Sequence, residues 1–168
     1  MNVQSQESAR TQSIALDEAV ELIWTEAELL DDACYDEWLA LWAPDSRYII
    51  PIDPKEADLE NTLNYAYDDD EMRRMRVQRL TSGFSISTLP PARTVRTVSR
   101  FRMHASTQLD CRLRCAQIVV EQRLQASRTY ALDVEFRLVR TTDGLRIARK
   151  IVRLVDPDQA LQAFSYLL

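Results

Sequence analysis

The sequence predicts an α+β fold, with a curved, mostly antiparallel sheet wrapped on N-terminal helices. Three observations carry this. Apolar residues recur at helical spacing through the first 43 residues, and after Pro91 the pattern changes to period two. The dipeptide Asp143-Gly144 then sits between two such runs, a strong hairpin signal. Helices segregated from strands along the chain give α+β rather than α/β. A length of 168 residues fits one domain. The expected organisation is a flexible arm over residues 1–13 and a single α+β domain over 14–168.

Each element has its own signal. Over 14–30, Leu16, Ala19, Val20, Ile23, Trp24, Ala27 and Leu30 make one apolar helix face, and Asp17, Glu18 and Glu21 favour its N-terminal end. Asp31 and Asp32 offer a stop and a fresh N-cap. A second helix over 34–43 places Tyr35, Trp38, Leu39 and Trp42 together, and Pro44 ends it. At helical spacing this aromatic group, with Trp24, reads as core before it reads as a substrate cage. "SRYIIPI", 46–52, is a short strand. Residues 53–70 then read as a long acidic connection, of the kind that serves as a lid or binding surface. "DDDEMRRMRVQRLTSG" is a third helix, capped by Asp68 to Asp70 and ended by Gly83. Four long strands follow, near 94–107, 112–126, 129–140 and 144–155. The third is the clearest, with Tyr130, Leu132, Val134, Phe136 and Leu138 on one face and Ala131, Asp133, Glu135 and Arg137 on the other. "DQALQAFSYLL" is an apolar tail.

Composition excludes several functions. One histidine, His104, leaves no two-histidine facial triad and no Rieske site within the chain. Two glycines leave no phosphate-cradling loop. Cys34, Cys111 and Cys115 form no C-x-x-C pair, and a spacing of four on a strand is about 13 Å, too far for a disulfide. No run approaches the roughly 20 apolar residues of a membrane span, and the polar N-terminus lacks the apolar run of a signal peptide. A cytoplasmic protein is expected.

Charge is divided along the chain. Residues 1–71 hold 19 acids and three bases, and residues 72–168 hold seven acids and 18 bases. From Met72 to Leu109 there are eight arginines and no carboxylate. In "PPARTVRTVSRFRM", Arg93, Arg96, Arg100 and Arg102 follow a proline pair. Strand alternation puts Arg96, Arg100 and Arg102 on one face. Nucleic acid is a poor partner for a chain of pI near 5.0. The arginines are expected to pair with the acidic half or with a neighbouring subunit, since Arg suits bidentate interfaces; some are expected to be merely solvated.

The strings "EAELLDDACYDEWLALWAPDSRYIIP", "DDDEMRRMRVQRLTSG" and "PPARTVRTVSRFRM", in this order, resemble the small (beta) subunit of aromatic-ring-hydroxylating dioxygenases of the Rieske non-haem iron type. The resemblance covers residues 15 to 168. It implies a cone-like fold shared with nuclear-transport-factor-2-like (cystatin-like) proteins. It also implies a trimer of this chain within an assembly of three large (alpha) and three small subunits. The Rieske [2Fe-2S] cluster and mononuclear Fe(II) would lie in the large subunit, fed with NAD(P)H electrons through a reductase. This chain would be structural, with no cofactor and no catalytic residue. Where the family usually has Arg-Thr-Arg-His followed by Ser-Asn, this chain has Arg93-Thr94-Val95-Arg96 and then Ser99-Arg100. The candidate interface is Arg93, Arg96, Arg100 and Arg102 with the tail residues Phe164, Tyr166 and Leu168. The tail is expected to dock, either on its own core or on a neighbour.

Two other readings stay open. A stand-alone isomerase or dehydratase on the same cone fold would use Tyr48, His104 and Asp133 inside the cone. A plain ligand-binding or scaffold module would differ only in its partner.

Overall fold

The computed structural model describes residues 12–82, 92–156 and 167–168. The order is α1 (Leu16–Asp31), α2 (Tyr35–Ala40), β1 (Trp42–Pro51), β2 (Asn64–Asp68), α3 (Asp70–Thr81), β3 (Arg93–Ser106), β4 (Asp110–Arg123), β5 (Ala126–Thr141) and β6 (Gly144–Leu154). One six-stranded sheet runs β2-β1-β6-β5-β4-β3. Its pairings are antiparallel except β1 with β6, which is parallel. The helices lie on one face and the sheet curls around them, the predicted α+β arrangement. Of the expected arm, only Gln12 and Ser13 are described, and both are exposed.

The meander from β3 to β6 follows the period-two pattern. Tyr130, Leu132, Val134, Phe136 and Leu138 of β5 all turn inward and are buried. Gly144 closes the β5–β6 hairpin at φ +106°, a conformation that a Cβ would strain. Cys111 and Cys115 of β4 are free and fully buried, and Cys34 is half-buried and free.

Four local expectations are corrected. The acidic connection contains a strand. Asn64–Asp68 pairs with β1, with Tyr48 opposite Asp68 and Ile50 opposite Ala66. β1 begins at Trp42, so that residue belongs to the sheet and not to α2. Asp31 does not cap α2, whose N-cap is Cys34 without a side-chain bond, because β3 takes the Asp31 carboxylate. Finally, Arg96, Arg100 and Arg102 do not share a face. Arg100 has φ +54°, and pairing jumps from Ser99 opposite Ala116 to Arg102 opposite Arg114. This bulge inserts one residue and resets the alternation. Arg96 and Val98 point inward before it, Phe101 and Met103 point inward after it, and Arg100 and Arg102 point to solvent.

α3 is capped as expected, with Asp69 accepting from the Met72 amide at 2.9 Å; Gly83 lies outside the described residues. Of the aromatic group, Trp38 and Trp42 are core and meet edge-to-face at 5.4 Å, each also packing on Tyr48. Trp24 is not core. It is 51% exposed and touches Phe101 edge-on.

Candidate functional site

The inner face of the sheet carries more charge than a plain core. α1 aims Glu26 inward, and β6 aims Lys150 at it, with Nζ 2.7 Å from Oε1. Both are sealed, Lys150 at 0% and Glu26 at 1% exposure. The same Glu26 oxygen accepts from Trp38 Nε1 at 3.0 Å. Lys150 also donates to the Leu168 main-chain oxygen at 2.8 Å, and its ammonium lies 5.6 Å from the Phe136 ring centre. Tyr48 closes the set. Its hydroxyl donates to the Leu168 oxygen at 3.0 Å and lies 3.1 Å from the Leu168 amide, which donates to it. Burial lowers the Lys150 pKa, an effect the Glu26 carboxylate opposes, and burial raises the Tyr48 pKa.

Lys150 reaches this position through a bulge. Leu138 pairs with Ile147 and Arg137 with Arg149, so Ala148 is the extra residue. Leu145 and Ile147 point inward before it, and Lys150, Val152 and Leu154 after it. Straight alternation from Leu145 would have put Lys150 in water.

A second cluster sits at the mouth of the cone. The Arg96 guanidinium pairs with Asp31 and with the Leu167 main-chain oxygen. Its Nη1 donates to Thr94 Oγ1 at 2.8 Å, Thr94 donates to Asp31 at 2.8 Å, and the Arg96 amide donates to Asp31 at 2.7 Å. The end of α1, the start of β3 and residue 167 are thus tied by one guanidinium. α3 is fixed in the same way. Arg73, fully buried, donates to Ser46 Oγ at 2.7 Å and to the Asp68 carbonyl at 3.1 Å, and stacks 4.3 Å above Trp42. Arg76 binds both oxygens of Asp68 at 2.6 and 3.0 Å. Three arginines of the acid-free stretch therefore lock this chain's own elements.

The sequence-predicted site residues scatter. Arg93, Arg100 and Arg102 are exposed, Arg93 at the edge of an open groove of about 790 Å³ between α1 and β3. Leu168 is buried at 1% in the chain's own core. Phe164 and Tyr166 lie outside the described residues. Tyr48 is inside the cone, but His104 and Asp133 are on the outer face. Asp133 is bound there by Arg114, and the guanidinium pair holds its carboxyl below the usual range. His104 borders a shallow depression of about 180 Å³ with Arg112, Glu135, Arg137 and Arg149. The sheet separates these two from Tyr48, so the three candidates for stand-alone catalysis do not converge. Sequence reasoning missed Glu26 and Lys150. The one available signal was that Lys150 is one of only two lysines among 21 basic residues.

Among the described residues, no group of three or more His, Cys, Asp and Glu side chains is placed to hold a metal ion. Cys111 and Cys115 face the core, where burial pushes their thiols up to about 11 and about 12. These residues do not fit an iron or iron–sulfur site. No described helix is long and apolar enough to cross a membrane.

Comparison with known proteins identifies the family. The chain is 33% identical over 135 residues to the small oxygenase component of the p-cumate 2,3-dioxygenase system of Pseudomonas putida, covering 79% of this chain and 75% of that one. Its fold matches the crystal structure of the beta subunit of benzoate 1,2-dioxygenase from Burkholderia mallei, with TM-score 0.73 and 20% identity, over 92% of this chain and 99% of that one. A nuclear-transport-factor-2-like protein with a cystatin-like fold from Novosphingobium aromaticivorans matches with TM-score 0.58 and 15% identity, over 88% of this chain and 86% of that one. The profile of the ring-hydroxylating beta-subunit family matches residues 25–158. The chain belongs to that family, the beta subunits of aromatic-ring-hydroxylating dioxygenase complexes.

Proposed function

We propose that this chain is the structural small subunit of a cytoplasmic, Rieske-type oxygenase acting on an aromatic compound. It is read as one α+β domain over 14–168 behind an arm over 1–13. In this reading three copies assemble with three large subunits. The large subunit carries the [2Fe-2S] cluster, the mononuclear Fe(II) and the chemistry, and receives NAD(P)H electrons through a reductase. The observation that carries the reading is the family match across residues 25–158. The geometry supports it. The inner face of the cone is packed with Leu113, Cys115, Val134, Phe136, Ile147, Leu167 and Leu168, all at 2% exposure or less. What an enzyme on this fold would keep open for substrate is here bonded to the chain's own residues 167–168.

The test is reconstitution. The purified chain is expected to bind no stoichiometric iron and to oxidise no aromatic substrate. The large subunit is expected to gain soluble yield and turnover when co-expressed with it. About one iron per small subunit, accompanied by oxygenase activity of this chain alone, would overturn the assignment.

A further inference from the structure

Four arginines stand side by side across four neighbouring strands. Arg112 of β4 is the direct partner of Arg137 of β5, Arg137 of Arg149 of β6, and Arg149 of Arg47 of β1. All four point to the outer face, away from the helices. The strands are about 4.8 Å apart, so the row spans roughly 15 Å of sheet. Arg102 stands in the adjoining row, opposite Arg114. Like charges directly opposite on a sheet repel and destabilise it. The chain offsets this only in part: Glu135 lines the same depression as Arg112, Arg137 and Arg149 but is paired to Arg153. Arg137 pairs with Asp110, and Arg47 bends back to its own main-chain oxygens at residues 45 and 46. Among the described residues, Arg102, Arg112 and Arg149 make no ion pair. A free sheet face gains nothing from such a row; a face covered by carboxylates does.

The same chain carries the complementary surface. At the α1–α2 corner Glu28, Asp32, Asp36 and Glu37 are all exposed, and none makes an ion pair among the described residues. This corner lies on the helical side of the sheet and the arginine row on the other side. Within one copy the sheet stands between them, so they cannot neutralise each other. Between copies they can, in a head-to-tail contact that uses unlike patches. We propose that the row Arg47, Arg149, Arg137 and Arg112 is the receiving half of a contact between copies, and that the acidic α1–α2 corner of a second copy is what it receives. This rests on the reading of the chain as a self-associating small subunit and names the residues that join one copy to the next.

The experiment is a charge swap in the full chain, followed by sedimentation velocity alone and with the large subunit. The wild type is expected to self-associate, and more weakly as salt rises. Arg112→Glu with Arg149→Glu should weaken self-association at least tenfold, and so should Asp36→Arg with Glu37→Arg. All four positions are exposed, so each variant should melt as the wild type does. The chain carrying both changes should associate again, because the reversed row meets a reversed corner. Failure of that restoration overturns the proposal. So does a row variant that still self-associates but loses the large subunit, which would assign the row to that partner. A wild type that is monomeric both alone and in a complex with the large subunit would also overturn it, while leaving the small-subunit reading standing. A wild type that does not bind the large subunit at all would sink that reading instead.

Discussion

Lys150 on β6 and Glu26 on α1 meet 2.7 Å apart with neither open to solvent. A buried pair of this kind contributes little net stability against an apolar replacement, but losing one partner strands the other, at about 3–5 kcal/mol. Lys150→Met is therefore expected to destabilise by about that amount. Adding Glu26→Gln, which keeps an acceptor for Trp38, should recover most of the loss. A urea double-mutant cycle measures the coupling. A Lys150→Met chain that unfolds at the wild-type midpoint would show that the pair carries no such load.

Arg96 and Arg100 are expected to behave differently, although only three residues lie between them. Arg96→Ala should cost about 3–5 kcal/mol, because it leaves Asp31 and the Leu167 oxygen without their buried donor. Arg100 is exposed, its guanidinium 3.7 Å from Asp133, and Arg100→Ala should cost under about 1 kcal/mol. Thermal melting of the isolated chain separates the two. Equal melting of both variants would contradict the placement of Arg96 in the fold.

Leu167 and Leu168 are each 1% exposed. Leu-to-Ala changes at sealed core positions cost about 2–5 kcal/mol. Deleting residues 167 and 168 should accordingly lower the stability of the isolated chain, before any effect on assembly. A deletion that leaves melting unchanged while assembly fails would place the tail at an interface instead.

The thiols give a check by pH. With Cys111 near 11 and Cys115 near 12, both raised by burial, neither is a thiolate at pH 8, and neither is accessible. A thiol reagent at pH 8 should modify only Cys34 in the folded chain and all three cysteines in denaturant. Native modification of Cys115 would show that the cone opens.

Much of the sheet was legible because side-chain alternation is a direct consequence of strand geometry. Residues 129–140 alternate without a break, and the Asp143-Gly144 turn announces its own hairpin. What was hidden has a common cause. Alternation predicts faces only while it is unbroken, and bulges at Arg100 and Ala148 each move the following residues to the other face. That is why Arg102 does not share a face with Arg96, and why Lys150 turns inward against the alternation that Leu145 sets. β2 was hidden because "NYAYD" is short and stands among acids, so its strand character comes from pairing with β1 and not from its own composition. Glu26 was illegible for another reason. A glutamate in an amphipathic helix reads as solvated unless its distant lysine is known.

The parallel register of β1 on β6 also has a consequence for synthesis. Tyr48 pairs with Lys150, and Trp42 with Ile147, so each partner is made long after the first has left the ribosome. Until β6 exists, the β1–β2 pair has no strand that joins it to the rest of the sheet, and closing so large a loop is slow. The local pairings from β3 to β6 can form as soon as they are translated. Nascent chains arrested before residue 144 should therefore present Trp38, Trp42 and Tyr48 to chaperones, and release should coincide with the arrival of β6 rather than with completion of the helices.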